Sequence, residues 1–133
     1  MDAESDHRPS LLIADDDAVL RSVLGFQLDG DFRVVAVAEN ASDAIALAER
    51  HQPDAALLDV EMPGGGAREA VPQIAKRSPH TSIVILSADE SRAGVLELLG
   101  AGATAYLRKG VPGPEIAKTL RDALQAKADE PQE

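Results

Sequence analysis

Four short stretches of this chain carry residues that could do chemistry: the triplet Asp15-Asp16-Asp17, then Asp59, then Ser87, then Lys109. Clustered carboxylates repel one another, and one is pushed toward protonation unless a cation intervenes. A cluster built only of oxygens, without His or Cys, suits Mg²⁺ or Mn²⁺, which take few protein oxygens and keep several waters. A lysine and a hydroxyl beside such a cluster are what a transferred phosphoryl group requires: charge neutralisation and donors for its oxygens. An aspartate carboxylate is itself a nucleophile toward phosphoryl groups and forms an aspartyl phosphate. Each residue also has an ordinary reading. Asp17 fits an N-cap, Ser87 a turn and Lys109 a solvated charge. The chemistry depends on whether the fold brings these stretches together.

Short apolar runs rich in β-branched residues occur at 11–14, 32–37, 55–58, 82–86 and 103–107, and read as buried strands. Between them lie segments with helical spacing. The first carries Val19, Leu20, Val23, Leu24 and Leu28, and the second carries Ile45, Leu47 and Ala48 after an N-cap at Asn40 or Ser42. The third covers roughly 69–76. The fourth carries Val95, Leu96, Leu98 and Leu99 and stops at Gly100. The fifth opens at Gly113-Pro114 and carries Ile116, Leu120, Ala123 and Leu124. Five βα units predict an α/β, flavodoxin-like (βα)5 fold, a doubly wound parallel sheet of strand order 2-1-3-4-5. In that order strands 1 and 3 are neighbours, so Asp15, Asp16 and Asp59 converge at the carboxyl edge, with Ser87 and Lys109 within reach. The predicted domain is 10–124, flanked by solvated, disordered tails at 1–9 and 125–133.

Composition excludes several classes. The 133 residues make one domain, 44% hydrophobic and 27% charged. No apolar run approaches the about 18 residues of a membrane span, and the N-terminus is not a secretory signal. There is no cysteine, which removes disulfides and thiol chemistry. The net charge is −10, of which residues 10–124 keep −6, and aromatics are 2%. Acidity and the lack of stacking rings argue against direct nucleic-acid binding. Two glycine patterns carry no nucleotide site: Gly100 to Ala105 follows a helix instead of opening one, and Gly64-Gly65-Gly66 lacks the lysine of a P-loop. The latter reads as a flexible loop.

The ordered motifs Leu-Leu-Ile-Ala-Asp15-Asp16-Asp17, Leu-Leu-Asp59-Val-Glu-Met62-Pro63, Ile-Val-Ile-Leu-Ser87-Ala88 and Gly-Ala-Thr-Ala-Tyr106-Leu-Arg-Lys109 resemble those of the receiver domain of bacterial two-component response regulators, in the CheY-like superfamily. The resemblance covers about Ser10 to Leu124. It implies that Asp59 is the phosphoacceptor and that Asp16, Asp59 and the Glu61 backbone carbonyl hold Mg²⁺, with Asp15 acting through water. It implies that Lys109 and Ser87 bind the phosphoryl group, that Ser87 and Tyr106 form a switch, and that Glu61 and Asp89 line the path of the hydrolytic water. The implied donor is a phosphohistidine on a histidine kinase or phosphotransfer protein, in a cytoplasmic setting. The resemblance also implies self-catalysed phosphorylation and dephosphorylation. Signalling would run through a downstream protein, a homodimer or a C-terminal output domain; the Gly-Ala-x-x-Tyr-Leu-x-Lys-Gly stretch is similar to a subfamily with a helix-turn-helix output.

Three departures from that pattern stand out. Gly110 replaces a proline that follows the lysine, so a trans bond is expected, a cis one costing about 3–4 kcal/mol. Gly66-Ala67 replaces Asp-Gly, which predicts a looser loop. Pro72 falls inside the third helix, which should therefore start near 69–71 or kink. The chain as given ends shortly after the receiver, as expected of a stand-alone regulator or a receiver cut from a longer one. Two rival readings are a degenerate, unphosphorylated interaction module and an aspartyl-phosphate hydrolase of the haloacid dehalogenase type. The first expects a missing acid, and none is missing. The second expects Asp two residues after its nucleophile, where Glu61 stands.

Overall fold

Strands and helices alternate without exception along the chain, in a computed structural model that describes residues 6–88 and 91–130. The strands are β1 (Ser10–Ala14), β2 (Arg33–Ala38), β3 (Ala55–Asp59), β4 (Ser82–Ser87) and β5 (Ala105–Arg108). The helices are α1 (Ala18–Leu28), α2 (Ala41–His51), α3 (Gly66–Arg77), α4 (Arg92–Ala101) and α5 (Gly113–Ala128). All strand pairs are parallel, in the order β2-β1-β3-β4-β5, as the alternation predicts. Among the described residues no helix is long and apolar enough to cross a membrane.

Period-two alternation splits the core into two layers. Leu12, Ala56, Leu58, Ile83 and Ile85 face one side and pack with Ala44, Ala48, Val71, Ile74 and Leu98 from α2, α3 and α4. Leu11, Ile13, Leu57, Val84 and Leu86 face the other and pack with Leu24, Leu28, Ile116 and Leu120 from α1 and α5. Small residues on α2 let that helix lie close to the sheet; Ala41, Ala44 and Ala48 are all fully buried. With both faces covered, β1, β3 and β4 are buried along their whole length.

Helix starts follow the cap residues. Asp17 accepts from the N–H groups of Val19 and Leu20, Asn40 from that of Asp43, and Ser91 from that of Gly94. Helix α4 runs one residue past Gly100; its cap is Gly102, at φ 131°. Helix α3 does not wait for 69–71 but begins at Gly66 and runs through Pro72. Pro72 sits on the exposed face, so the Arg68 carbonyl that it leaves without an i+4 donor can be hydrated. Helix α5 continues to Ala128, four residues beyond the expected boundary at Leu124, and Lys127 in its last turn complements the helix dipole. At the other end, residues 6–9 are not a loose tail. Arg8 pairs with Asp6 at 2.7 Å and donates to the Asp29 carbonyl, while Pro9 accepts from the Arg33 N–H at 2.8 Å. Residues 1–5 and 131–133 of the expected tails lie outside the described residues.

A reciprocal bond fixes the amino edge of the sheet. The Ser10 N–H and Oγ both donate to Asp54 Oδ2, at 2.9 and 3.1 Å, and the Asp54 N–H donates back to Ser10 Oγ at 2.9 Å. Asp54→Ala leaves two buried donors at the start of β1 unpaired. It is expected to cost about 1–3 kcal/mol in urea denaturation. A loss below about 0.5 kcal/mol would show that water replaces the carboxylate without penalty.

Candidate phosphoryl-transfer site

The carboxyl edge of the sheet places four of the candidate residues by backbone pairing alone. Asp15 directly follows β1, and its N–H extends the ladder to the Ala38 carbonyl at 3.0 Å. Asp59 ends β3 in register with Leu86, and the next N–H, that of Val60, donates to the Leu86 carbonyl at 2.9 Å. Ser87 ends β4 opposite Arg108, and the Lys109 N–H donates to the Ser87 carbonyl at 2.9 Å. These side chains therefore project from a rigid edge. Asp15, Asp59 and Ser87 are 1%, 3% and 3% exposed.

Asp16 completes the cluster from the more open side. One carboxylate oxygen each of Asp15, Asp16 and Asp59 lie within 4.8 Å of one another. Lys109 Nζ sits 3.0 Å from Asp59 Oδ2 and 3.4 Å from Asp15 Oδ2. Asp59 Oδ1 accepts the Glu61 N–H at 3.2 Å, and Asp15 Oδ1 accepts the Asp17 N–H at 2.9 Å. Among the described residues the buried Asp15 Oδ2 accepts no hydrogen bond, and Lys109 meets it only as a longer ion pair. One lysine against three carboxylates leaves two negative charges uncompensated. Burial pushes the Asp59 carboxyl above its ordinary range; Lys109 and the Glu61 N–H oppose this, while the Asp15 anion adds to it. Burial alone would lower Lys109, but the two carboxylates outweigh it and hold the ammonium above its usual value. An oxygen-only donor set, a buried carboxylate oxygen that accepts no hydrogen bond and a formal charge deficit of two together fit a divalent cation.

The remaining predicted residues divide. Asp17 turns away to cap α1, as its ordinary reading has it. Tyr106 lies on β5 between Ala105 and Leu107, which face the α1–α5 layer; it is 37% exposed and lines a hollow with Arg92, Val95 and Leu96. Glu61 is exposed and touches the site through its backbone N–H. Asp89 lies outside the described residues. Every described peptide bond is trans, and Gly110 takes φ 97°.

Two features of the site escape the sequence reading. Arg21, one turn into α1, donates to the Asp15 carbonyl at 2.7 Å and so braces the β1 end; an arginine six residues after an acidic strand end gives no distinctive signal. The loop after Asp59 is not loose. Pro63 accepts the Ala41 N–H at 3.0 Å, Ala67 donates to the Val60 carbonyl at 3.0 Å, and Met62 is buried. The three glycines serve tight geometry, with φ of 86°, 100° and 62° at Gly64, Gly65 and Gly66.

With this geometry in place, comparison with known proteins is decisive. The profile of the response regulator receiver domain matches residues 11–121. The chain belongs to this family. The receiver is 34% identical over 118 residues to the transcriptional regulatory protein YxjL of Bacillus subtilis, covering 87% of this chain and 54% of the relative. It is 31% identical over 116 residues to the chemotaxis protein CheY of Listeria monocytogenes, covering 86% of this chain and 98% of CheY. Among solved structures, the NarL signal receiver domain of Mycobacterium tuberculosis superposes with TM-score 0.84 at 28% identity, over 89% of this chain and 97% of that one. This receiver thus spans about half the length of the transcriptional regulators it matches. Response regulator receivers act in two-component systems, where phosphorylation switching is the general function. The acidic cluster is consistent with the divalent metal site typical of such domains.

Proposed function

We propose that this receiver accepts a phosphoryl group on Asp59 from a phosphohistidine of a histidine kinase or phosphotransfer protein. The observation that carries the reading is the Asp59 carboxylate itself: buried at the end of the central strand, 3.0 Å from Lys109 and clustered with two further acids. An Asp59 oxygen forms the new bond to phosphorus. The phosphorus–nitrogen bond breaks, and its electron pair leaves on the imidazole. Lys109 follows the phosphoryl oxygens as charge moves onto them, and the buried Ser87 hydroxyl supplies a donor. Asp16, Asp59 and the Glu61 carbonyl would hold Mg²⁺, with Asp15 contributing through water. When bound, the cation offsets charge on the phosphoryl oxygens. Ser87 and Tyr106 relay occupancy of the site to the surface of α4, β5 and α5, while Glu61 and Asp89 border the hydrolytic water. The signal passes to a downstream protein, a second copy or an output domain. Asp15, Asp16, Asp59, Ser87 and Lys109 are all present, which favours this reading over a silent interaction module.

Incubation with acetyl phosphate and Mg²⁺ should add about 80 Da, the mass of one phosphoryl group, to the intact protein, and peptide mapping should place it on the segment bearing Asp59. No gain, or a gain elsewhere, overturns the reading. The metal has its own readout. At ten times its Kd, Mg²⁺ should stabilise the fold by about 1.4 kcal/mol and raise Tm by a few degrees. Asp16→Ala should lose most of that rise. An equal rise in both proteins would move the cation away from Asp16.

A further inference from the structure

A cavity of about 360 Å³ opens beside the phosphoacceptor, between the β3–α3 loop and the start of α4. Its walls include Glu61, Gly65, Arg68, Ser87 and Ser91. It therefore shares Ser87 with the site and reaches the backbone that follows Asp59. Among its described lining residues Arg68 is the one cation, in a chain of net charge −10. Arg68 stands in the first turn of α3 and reaches across to α4, where Nη1 lies 3.4 Å from Glu97 Oε1. Both side chains are largely solvated, so this pair contributes little to stability. The pair ties Arg68, which lines the cavity, to α4; with both groups largely solvated, Glu97 offsets the charge of the guanidinium only in part.

We propose that Arg68 is a specificity residue that favours small anionic acyl phosphates as phosphoryl donors. The inference rests on the phosphorylation of Asp59 proposed above. With acetyl phosphate, an Asp59 oxygen bonds to phosphorus, the phosphorus–oxygen bond to the acyl group breaks, and the electron pair departs on acetate. Negative charge thus enters with the donor and leaves with the product, in a site whose own acids repel it. A guanidinium in the adjoining cavity lowers that repulsion on arrival and stabilises the carboxylate as it departs. Phosphoramidate provides the contrast. Its phosphorus–nitrogen bond breaks with the pair going to a nitrogen that already carries three protons, and neutral ammonia leaves. Phosphoramidate also arrives as an anion, but one of lower charge, and Arg68 has no departing anion to stabilise in that reaction.

The test is the initial rate of mass gain with each donor at fixed Mg²⁺, for wild type, Arg68→Ala, Arg68→Lys and Arg121→Ala. Arg121 lies on α5 beside Asp31, so its removal changes net charge equally but away from the cavity. Arg68→Ala should label about fivefold more slowly with acetyl phosphate. It should stay within about twofold of wild type with phosphoramidate. Arg68→Lys should recover most of the acetyl phosphate rate, Arg121→Ala should retain it, and the Arg68 effect should shrink in high salt. Equal slowing with both donors would mean a disturbed site, and no slowing would mean an idle cation; either overturns the role of Arg68 while leaving Asp59 as acceptor. A wild-type protein labelled by neither donor overturns the phosphorylation reading itself.

Discussion

Asp59→Asn is expected to abolish the phosphoryl mass gain completely and, in the same protein, to raise the melting temperature measured in EDTA. The two effects share one cause. In the metal-free site Asp59 is buried beside Asp15, and one lysine serves both. Burial and the Asp15 anion lift the Asp59 carboxyl above its ordinary range despite Lys109. The folded state therefore holds a proton that the unfolded chain has already released, and stability declines as pH rises through that window. Asparagine keeps an oxygen for the Glu61 N–H and releases Lys109 wholly to Asp15, without the cost of a buried charge. The gain at neutral pH should be about 1–2 kcal/mol, or a few degrees in Tm. It should fade below the ordinary carboxylate range, where wild type is neutral too. Saturating Mg²⁺ should narrow the difference, because wild type then recovers what its carboxylates lose by crowding. A lower Tm for Asp59→Asn in EDTA would show that the Lys109 ion pair outweighs desolvation. Residual labelling would identify a second acceptor.

Most of the frame was legible because its signals are local. Asp17 and Asn40 announce helix starts through a side-chain oxygen that reaches an N–H two or three residues on, which needs no tertiary partner. Strict βα alternation fixes parallel pairing, and parallel pairing brings Asp15, Asp59, Ser87 and Lys109 to one edge. Boundaries were less legible where packing decides them. Ala103 and Thr104 continue the apolar run that suggested an early β5; the Thr104 N–H already donates to the Ile83 carbonyl, but the strand itself begins at Ala105. Helix α5 outlasts Leu124 because Gln125 to Ala128 have high helix propensity and no breaker among them. Pro72 suggested a later start for α3. Its fixed φ is compatible with a helix, however, and the lost hydrogen bond lies on the solvated side. The Gly64-Gly65-Gly66 run read as slack since sequence shows conformational freedom but not the neighbours that consume it.

Those neighbours make Gly66 the most constrained of the three. A Cβ built there would lie 2.2 Å from the Val60 carbonyl oxygen, at φ +62°. At Gly64 the nearest atom to such a Cβ is 3.6 Å away, an ordinary contact, at φ +86°. Both substitutions to alanine incur the left-handed backbone cost of about 1–2 kcal/mol. Gly66→Ala must in addition displace the carbonyl that accepts the Ala67 N–H and starts α3. Its total cost should be about 3–5 kcal/mol in urea denaturation, against about 1–2 kcal/mol for Gly64→Ala. The displacement also has a functional consequence. Val60 and Glu61 are the residues directly after Asp59, and the Glu61 N–H holds Asp59 Oδ1. Moving them lets the acceptor carboxylate rotate, so Gly66→Ala should label more slowly with acetyl phosphate even under conditions where it is fully folded. Gly64→Ala should label at close to the wild-type rate. Equal destabilisation by the two substitutions would mean that the Val60 carbonyl yields without cost. The loop would then be as slack as a run of three glycines suggests.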